Sequence, residues 1–333
     1  MDDTSILILS RRDIAALMRP ADYLEAVEAG FRSVAVGRAQ SPPPLYLAGE
    51  GGGFHAKAAI FTGQGRTYAA LKLNGNFPNN PTRYRLPTVQ GLILLYDAAR
   101  GTPLAVMDSI EVTLRRTAAA SALAAKYLAR AGSTRIAICG CGAQARAHID
   151  ALADAMQLSH GAVWDRDAKK AERFAYEMSE VSGLGLESVG DHRAATLDAD
   201  IVVTCTTSQE AFLQRADVRE GVFIAAIGAD APAKSEIHPD LMRRSVVVVD
   251  SLDQCAAFGD LRHAISAGVM SVTDVRADLA QLVSTEKNGR TRAEEIIVFD
   301  STGVAIEDAA SAAAIYERAC LRSKGLRVDL SAG

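Results

Sequence analysis

Several ligand classes are disfavoured by what this sequence holds little of. Aromatic residues make up 5% of the chain and there is one tryptophan, so no row of rings is available for bases to stack on. Positive charge is not in excess. The 36 Lys and Arg face 40 Asp and Glu, a net charge of −4, which argues against binding nucleic acid through the chain as a whole. No apolar stretch approaches the roughly 18 residues of a membrane-spanning helix. The acidic start, Met1-Asp2-Asp3, and the short run Ile6–Leu9 do not have the form of a secretory leader. The five cysteines, Cys139, Cys141, Cys205, Cys255 and Cys320, are odd in number and irregularly spaced, so a reducing, cytoplasmic compartment is expected. Cys139 and Cys141 form C-x-C with no neighbouring His or Cys to complete a zinc set, so no metal is expected.

What remains is an ordinary globular composition, 49% hydrophobic and 23% charged, over 333 residues. At roughly 100–200 residues per domain, that length predicts two domains, with a core large enough to need no disulfide. Residues 20–37 have helical spacing, with Leu24, Val27, Phe31 and Val34 on one face. After Pro42-Pro43-Pro44, the segments 44–48, 54–61, 67–74 and 89–96 read as short strands of an antiparallel or mixed sheet. The alanine- and leucine-rich stretch Asp108–Ala131 has no internal glycine or proline and reads as one long helix closed by Gly132. From Arg135 the pattern changes to alternation. Strands at 136–139, 162–164, 201–204, 222–227, 246–249 and 296–299 are separated by helices or loops, which predicts a doubly wound parallel sheet. A last helix, 304–321, is expected to return to the first domain.

The most informative motif is Gly140-Cys141-Gly142-Ala143-Gln144-Ala145, placed between a predicted strand and a predicted helix. In that context Gly140 permits a tight turn, Gly142 lets backbone approach a pyrophosphate, and Ala145 allows close helix–strand packing. The helix N-terminus attracts the anion. Asp165 ends the next strand, near the distance at which an acid meets the adenosine ribose. Its carboxylate favours NAD, because it repels a 2′-phosphate; the adjacent Arg166 leaves NADP open.

Three further segments carry charge in unusual places. Lys72 lies inside an apolar strand, Leu71–Leu73, ahead of Asn74-Gly75-Asn76. It reads as a partner for a substrate carboxylate or a proton-transfer group of lowered pKa, or else as a snorkelling edge-strand lysine. Arg115-Arg116-Thr117 precede an alanine-rich helix and, taken alone, read as a solvated face. Asp230 follows a strand end, where ligands of open α/β sheets bind, and reads as an acid/base group or as a turn cap before Pro232.

Taken in order, these segments resemble the ornithine cyclodeaminase/mu-crystallin family over nearly the whole chain. The resemblance runs through Lys72–Asn80, Leu86–Gly91, Asp108–Arg130, Gly140–Ala145, Val202–Ser208, Ile227–Glu236, Gly259–Ala264 and Phe299–Ala310. It is nearest in motif to the archaeal-type alanine dehydrogenases and imino-acid reductases of that family. It implies an α/β fold in which a Rossmann domain, 119–303, is inserted into a mixed α+β domain, 1–118 plus 304–333, that binds substrate and dimerises. It implies a homodimer acting with NAD(P) on a small α-amino or α-imino acid, with neither nucleic acid nor membrane as partner. Lys72 and Arg116 would hold the α-carboxylate, with Thr88 near the substrate, and Asp230 would exchange the amine or imine proton or activate water. Thr117 with Gly142, Ala143 and Gln144 would hold the pyrophosphate. Thr206 and Lys234 would lie near the nicotinamide ribose, and Ser301 near the nicotinamide.

The chain departs from the family pattern at two places. Ser41-Pro42-Pro43-Pro44-Leu45 offers no cation where many members carry one, and Phe54-His55-Ala56-Lys57-Ala58 brings a lysine where they carry none. Lys57 reads either as the supplier of the missing charge, on the α-carboxylate or on a substrate side chain, or as an exposed strand lysine. With Lys72 and Arg116 it would make a positive pocket in a mildly acidic protein. No acid stands where the ornithine enzymes place the terminal amine, so ornithine cyclodeamination ranks below dehydrogenase or imine reductase chemistry such as Δ1-pyrroline-2-carboxylate reduction. A non-catalytic binding protein is the third reading, and the intact Lys72, Arg116 and Asp230 argue against it.

Overall fold

A computed structural model describes residues 5–63 and 65–330. Met1–Asp3, whose acidity weighed against a leader, lie outside the described residues. The chain forms two compact units, Met1–Arg116 with Val304–Gly333, and Thr117–Gly303. None of the described helices is long and apolar enough to cross a membrane.

The first unit is built on an eight-stranded mixed sheet. Its order is Leu326–Val328, Ile6–Leu9, Thr102–Asp108, Val89–Asp97, Arg66–Asn76, Gly52–Gly63 and Ala39–Gln40, with Leu45–Gly49 also paired to Gly52–Gly63. All neighbours are antiparallel except Ile6–Leu9 beside Thr102–Asp108. Strand alternation sorts the faces. Tyr68, Ala70 and Lys72 of one strand and Ile93 and Leu95 of the next are buried, and the C-terminal helix Ala305–Leu321 packs on these strands. The opposite face carries Leu45, Leu47, Phe54, Ile60, Leu71, Leu73 and Leu92, each between 39% and 56% exposed.

Helix Pro20–Ala35 packs along the C-terminal helix. The buried line is Tyr23, Ala26, Val27, Gly30 and Phe31, while Leu24 is half-buried and Val34 is exposed. The expected face is therefore rotated. Small residues decide it: a Cβ on Gly30 would come within 3.1 Å of the Ala310 Cβ, so the glycine lets the two helices close. Burying Val27 and Phe31 contributes on the order of 1.5–3 kcal/mol each.

The second unit is a parallel sheet of eight strands ordered Gly185–Ser188, His160–Trp164, Arg135–Cys139, Ile201–Thr204, Phe223–Ala226, Ile297–Asp300, Val246–Val249 and Ala277–Asp278. The central strands are buried on both faces, which is why they read as short apolar runs without alternation. The chain leaves Arg135–Cys139 toward one edge and returns as Ile201–Thr204 on its other side. This reversal of direction puts a crevice at the carboxyl ends of these two strands, where doubly wound sheets bind ligands.

Candidate active site

In the second unit, the crevice is lined by the predicted glycine turn. Gly140 has φ +98°, and a Cβ there would sit 2.9 Å from the Cys205 carbonyl oxygen, so both conformation and space require glycine. Gly142 is the N-cap of helix Ala143–Ala155 and makes no side-chain cap hydrogen bond. A Cβ at Gly142 would meet nothing within 4 Å. Space is thus open at the N-cap of this helix, and Gln144 Oε1 is buried without a partner among the described residues. An open, donor-rich helix start with an orphaned amide beside it fits the pyrophosphate of a dinucleotide.

Asp165 sits at the end of the adjacent strand and fixes this turn. Its Oδ2 accepts from the Cys141 N–H at 2.8 Å and pairs with Lys170 Nζ at 2.6 Å, and its Oδ1 accepts from the Asp167 N–H. Burial opposes its charge, but Lys170 and these N–H groups outweigh it and hold its pKa below the ordinary carboxylate value. Arg166 beside it is exposed.

Thr117 lies buried on helix Ser109–Leu128, and its carbonyl accepts from Ser121 Oγ. Ser121 Oγ meets His148 Nε2 at 2.9 Å, and His148 Nδ1 meets the Gln144 carbonyl at 2.8 Å. This buried chain ties Thr117 to the glycine-turn helix. Burial pushes the His148 pKa down to about 4, so the imidazole is neutral and bridges as donor and acceptor. Ser121 and His148 escaped sequence analysis, because a serine and a histidine on alanine-rich helices carry no local signal.

The loops at the other strand ends are stapled by buried acids that sequence analysis also missed. Glu236 accepts from the Thr206 N–H at 2.6 Å, the Thr204 hydroxyl at 2.7 Å and the Gly228 N–H at 2.8 Å. Asp260 Oδ1 accepts from Ser235 Oγ and from the Glu236 and Ile237 N–H groups. Ser301, expected near the nicotinamide, gives its hydroxyl to Asp250 at 2.9 Å. Asp230 is exposed and pairs with Lys234 at 2.6 Å. The loop between them is held by Arg262, which donates to the Pro232 carbonyl, and by His263, whose Nε2 lies 2.8 Å from the Lys234 carbonyl.

In the first unit, Lys72 is not an edge lysine. Its strand is interior to the sheet and its side chain is 4% exposed. Nζ lies 2.6 Å from Asp308 Oδ2 and donates to Thr113 Oγ1 at 3.3 Å. Arg116 is likewise buried, contrary to the solvated face its local sequence suggests. Its Nε meets Asp308 Oδ1 at 2.9 Å and its Nη1 meets Glu307 Oε2 at 2.6 Å. The exposed role falls to Arg115, which pairs with Glu111 one turn away and is about one-third exposed. Burial drives the Lys72 pKa down, Asp308 pulls it up, and Arg116 and Lys57 push it down again, leaving it at about 7. For Arg116 burial works against the charge, yet Asp308 and Glu307 outweigh it and raise its pKa. Asp308 is held below its ordinary value, because Arg116 and Lys72 more than offset its burial.

The cluster around Lys72 and Arg116 is therefore not simply positive, as the sequence led us to expect. Buried cations without counter-charges are too costly to keep, and Glu307 and Asp308 of the C-terminal helix supply those charges. Two adjacent acids in the first turn of an otherwise apolar helix were the one available signal. Lys57 is half-buried and lies directly opposite Lys72 in the strand pair, hence on the same face. Thr88 stands at the head of strand Val89–Asp97, five residues from the Ile93 that pairs with Lys72, roughly 16 Å along the strand at ~3.3 Å per residue. Its carbonyl accepts from the Phe77 N–H.

Residues 5–323 match the ornithine cyclodeaminase/mu-crystallin family, and the chain belongs to it. Three solved structures of similar proteins cover almost its whole length. An archaeal alanine dehydrogenase dimer with bound NAD has a TM-score of 0.93 at 37% identity, covering 98% of this chain and 99% of its own. The Δ1-pyrroline-2-carboxylate reductase of Thermococcus litoralis, in complex with NADH and L-proline, has a TM-score of 0.92 at 33% identity, covering 97% and 100%. The iminosuccinate reductase of Paracoccus denitrificans, in complex with NAD+, has a TM-score of 0.91 at 29% identity, covering 98% and 100%.

Proposed function

We propose that this member of the ornithine cyclodeaminase/mu-crystallin family is a homodimeric, NAD-dependent oxidoreductase. It moves a hydride between the nicotinamide and Cα of a small α-amino or α-imino acid. The observation that carries the reading is the buried pair Lys72 and Arg116, held ready by Asp308 and Glu307. Two fixed cations orient a carboxylate, and a fixed carboxylate orients the Cα beside it. NAD, when bound, supplies the hydride chemistry. Gly140, Gly142, Ala143, Gln144 and Thr117 serve its pyrophosphate, Asp165 and Arg166 its adenosine ribose, Thr206 and Lys234 its second ribose, and Ser301 its nicotinamide.

Asp230 manages the proton of the amine or imine, and Lys234 at 2.6 Å holds its carboxylate in place. Lys57 and Thr88 complete the substrate side. The relatives act on alanine, pyrroline-2-carboxylate and iminosuccinate by name, so the family leaves the side chain open. The exposed apolar face formed by Leu45, Leu47, Phe54, Leu71, Leu73 and Leu92 supports dimerisation through the first unit. A Leu73→Glu variant is expected to sediment as a monomer.

The test is absorbance at the nicotinamide band with NADH and NADPH against a panel of cyclic and acyclic imines, and with NAD+ against the matching amino acids. Turnover with NADH is expected, and loss of at least 100-fold in Lys72→Met and Asp230→Asn. No oxidation or reduction across the panel despite cofactor binding would refute the reading in favour of a binding protein. Release of ammonia and proline from ornithine would refute it in favour of a cyclodeaminase.

A further inference from the structure

Strand Arg66–Asn76 and the first turns of helix Ser109–Leu128 are joined by two successive polar rungs. Lys72 and Asn74 stand two residues apart on the strand and share its inner face, while Leu71 and Leu73 are exposed on the other. Ser109, Thr113 and Arg116 follow one another at spacings of four and three residues, so they share one face of the helix. Lys72 Nζ donates to Thr113 Oγ1 at 3.3 Å, and Ser109 Oγ donates to Asn74 Oδ1 at 2.5 Å. Asn74 therefore belongs to the same polar wall as Lys72 and Arg116, the two cations assigned to the α-carboxylate.

The Ser109 contact decides which end of the Asn74 amide is presented. An amide has one acceptor oxygen and a donor NH2. The Ser109 hydroxyl is fully buried and occupies the oxygen, so the nitrogen is the end left over. Nδ2 makes no hydrogen bond among the described residues, and Asn74 is only half-buried. The next strand makes room for this arrangement. Gly91 pairs with Asn74, and a Cβ there would overlap both Asn74 Oδ1 and the Leu73 carbonyl oxygen. Two residues further along the same face, Asn76 Oδ1 is buried without a partner among the described residues. At ~3.3 Å per residue, Asn74 lies roughly 7 Å along the strand from Lys72, a step that a small amino acid and one hydrogen bond can cover.

We infer that Asn74 determines specificity, its Nδ2 donating a hydrogen bond to an oxygen on the substrate's side chain, and that Ser109 positions it by holding Oδ1. The substrate is then an α-imino or α-amino acid with an oxygen-bearing side chain. The inference rests on the assignment of Lys72 and Arg116 to the α-carboxylate, and it adds the chemistry of the substrate's other end. A side-chain ammonium would set donor against donor, and an alkyl side chain would leave the amide N–H groups without an acceptor.

The experiment has a kinetic arm and a binding arm. The first measures kcat/KM for ammonia-dependent NADH oxidation with hydroxypyruvate and with 2-oxobutyrate, which carry the same charge and differ by a hydroxyl in place of a methyl. Wild type is expected to favour hydroxypyruvate. One neutral hydrogen bond predicts that the ratio falls about 3- to 10-fold in Asn74→Leu, which keeps the volume and loses the donor. It should fall by less in Ser109→Ala, which frees the amide to turn. Asn74→Ala is held to the same ratio should the leucine not be accommodated. An unmoved ratio in the Asn74 variants overturns the inference. So does an equal loss on both substrates, which a purely structural residue would give.

In the second arm, thermal stabilisation of the NADH-saturated enzyme by L-serine is compared with that by L-2-aminobutyrate. Wild type is expected to prefer serine, and Asn74→Leu to lose that preference; no preference in the wild type overturns the inference. If neither oxo acid turns over yet the serine preference and its dependence on Asn74 hold, the redox reading fails and the side-chain subsite stands. If both turn over without preference, the redox reading stands and the subsite fails.

Discussion

Replacing Glu236 by Gln is expected to make the protein's stability respond differently to pH. Glu236 is fully buried and pairs with no cation among the described residues. Burial, and next Asp260, push its pKa up to about 7, against the pull of hydrogen bonds from Thr204 and Thr206. The ordinary glutamate value is 4.5. Between about 4.5 and 7 the folded protein therefore binds more protons than the unfolded chain. Stability falls as pH rises through that window, by at most about 3 kcal/mol at ~1.4 kcal/mol per unit. As a neutral acid, Glu236 fits all its partners: its hydroxyl donates to Thr204 Oγ1, and its oxygens still accept from the Thr206 and Gly228 N–H groups. Glutamine does not, because its amide nitrogen must face one of those two N–H groups, at a cost of about 1–3 kcal/mol. At pH 5 the wild type should be the more stable protein by about that amount, and by pH 8 the gap should close or reverse. Urea unfolding followed through Trp164, the only tryptophan and a residue of the second unit, measures both proteins at each pH. Asp260 and Asp300 also titrate upward of their ordinary values through burial, but they do so in both proteins and largely cancel in the difference. A gap that stays constant within about 0.5 kcal/mol from pH 5 to 8 would refute the reasoning, because a non-titrating glutamine cannot follow a titrating acid.

Other consequences follow from the same geometry. Gly140→Ala combines a φ of +98° with a Cβ 2.9 Å from a carbonyl oxygen; it should lose about 1–3 kcal/mol in the same urea assay and bind NADH at least tenfold more weakly by fluorescence titration. Asp165→Ser removes the carboxylate that repels a 2′-phosphate and releases Lys170, so the NADPH-to-NADH ratio of kcat/KM should rise by about 10- to 100-fold. The Lys72 ammonium titrates at about 7 in the free protein, so kcat/KM for a carboxylate substrate should fall as pH rises past 7. A flat kcat/KM profile from pH 6 to 9 would exclude a charged Lys72 from substrate capture.

The parallel sheet was legible because its strands are buried on both faces and stand out as four- or five-residue apolar runs, with helices following. The mixed sheet was harder to read. Its central hairpins are local and were read, but Ile6–Leu9 pairs with Thr102–Asp108 and with Leu326–Val328, and partners so distant in sequence leave no periodic trace. The strand Thr102–Asp108 was passed over and only the helix after it recognised. Helix Pro20–Ala35 was found, and of the face expected for it Val27 and Phe31 are buried while Leu24 is half-buried and Val34 exposed. Apolar size pointed to Leu24 and Val34, whereas close packing against Ala310 selected Gly30.

The same division runs through the candidate site, and it has a physical cause. A lysine in an apolar strand is a local anomaly and can be noticed without a structure. The charges that make it tolerable cannot, because Arg116 meets Glu307 and Asp308 across 191 and 192 residues. Those acids change what the cations can do. An unpaired buried Lys72 would give up its proton and stop attracting carboxylates, while an Arg116 left without its acids would bear the full cost of burial. With Asp308 between them, Lys72 stays close to neutrality in its titration and Arg116 stays charged, so the pair is kept in geometry before any ligand arrives. On the proposed function, an incoming carboxylate shares cations already engaged, which limits its affinity.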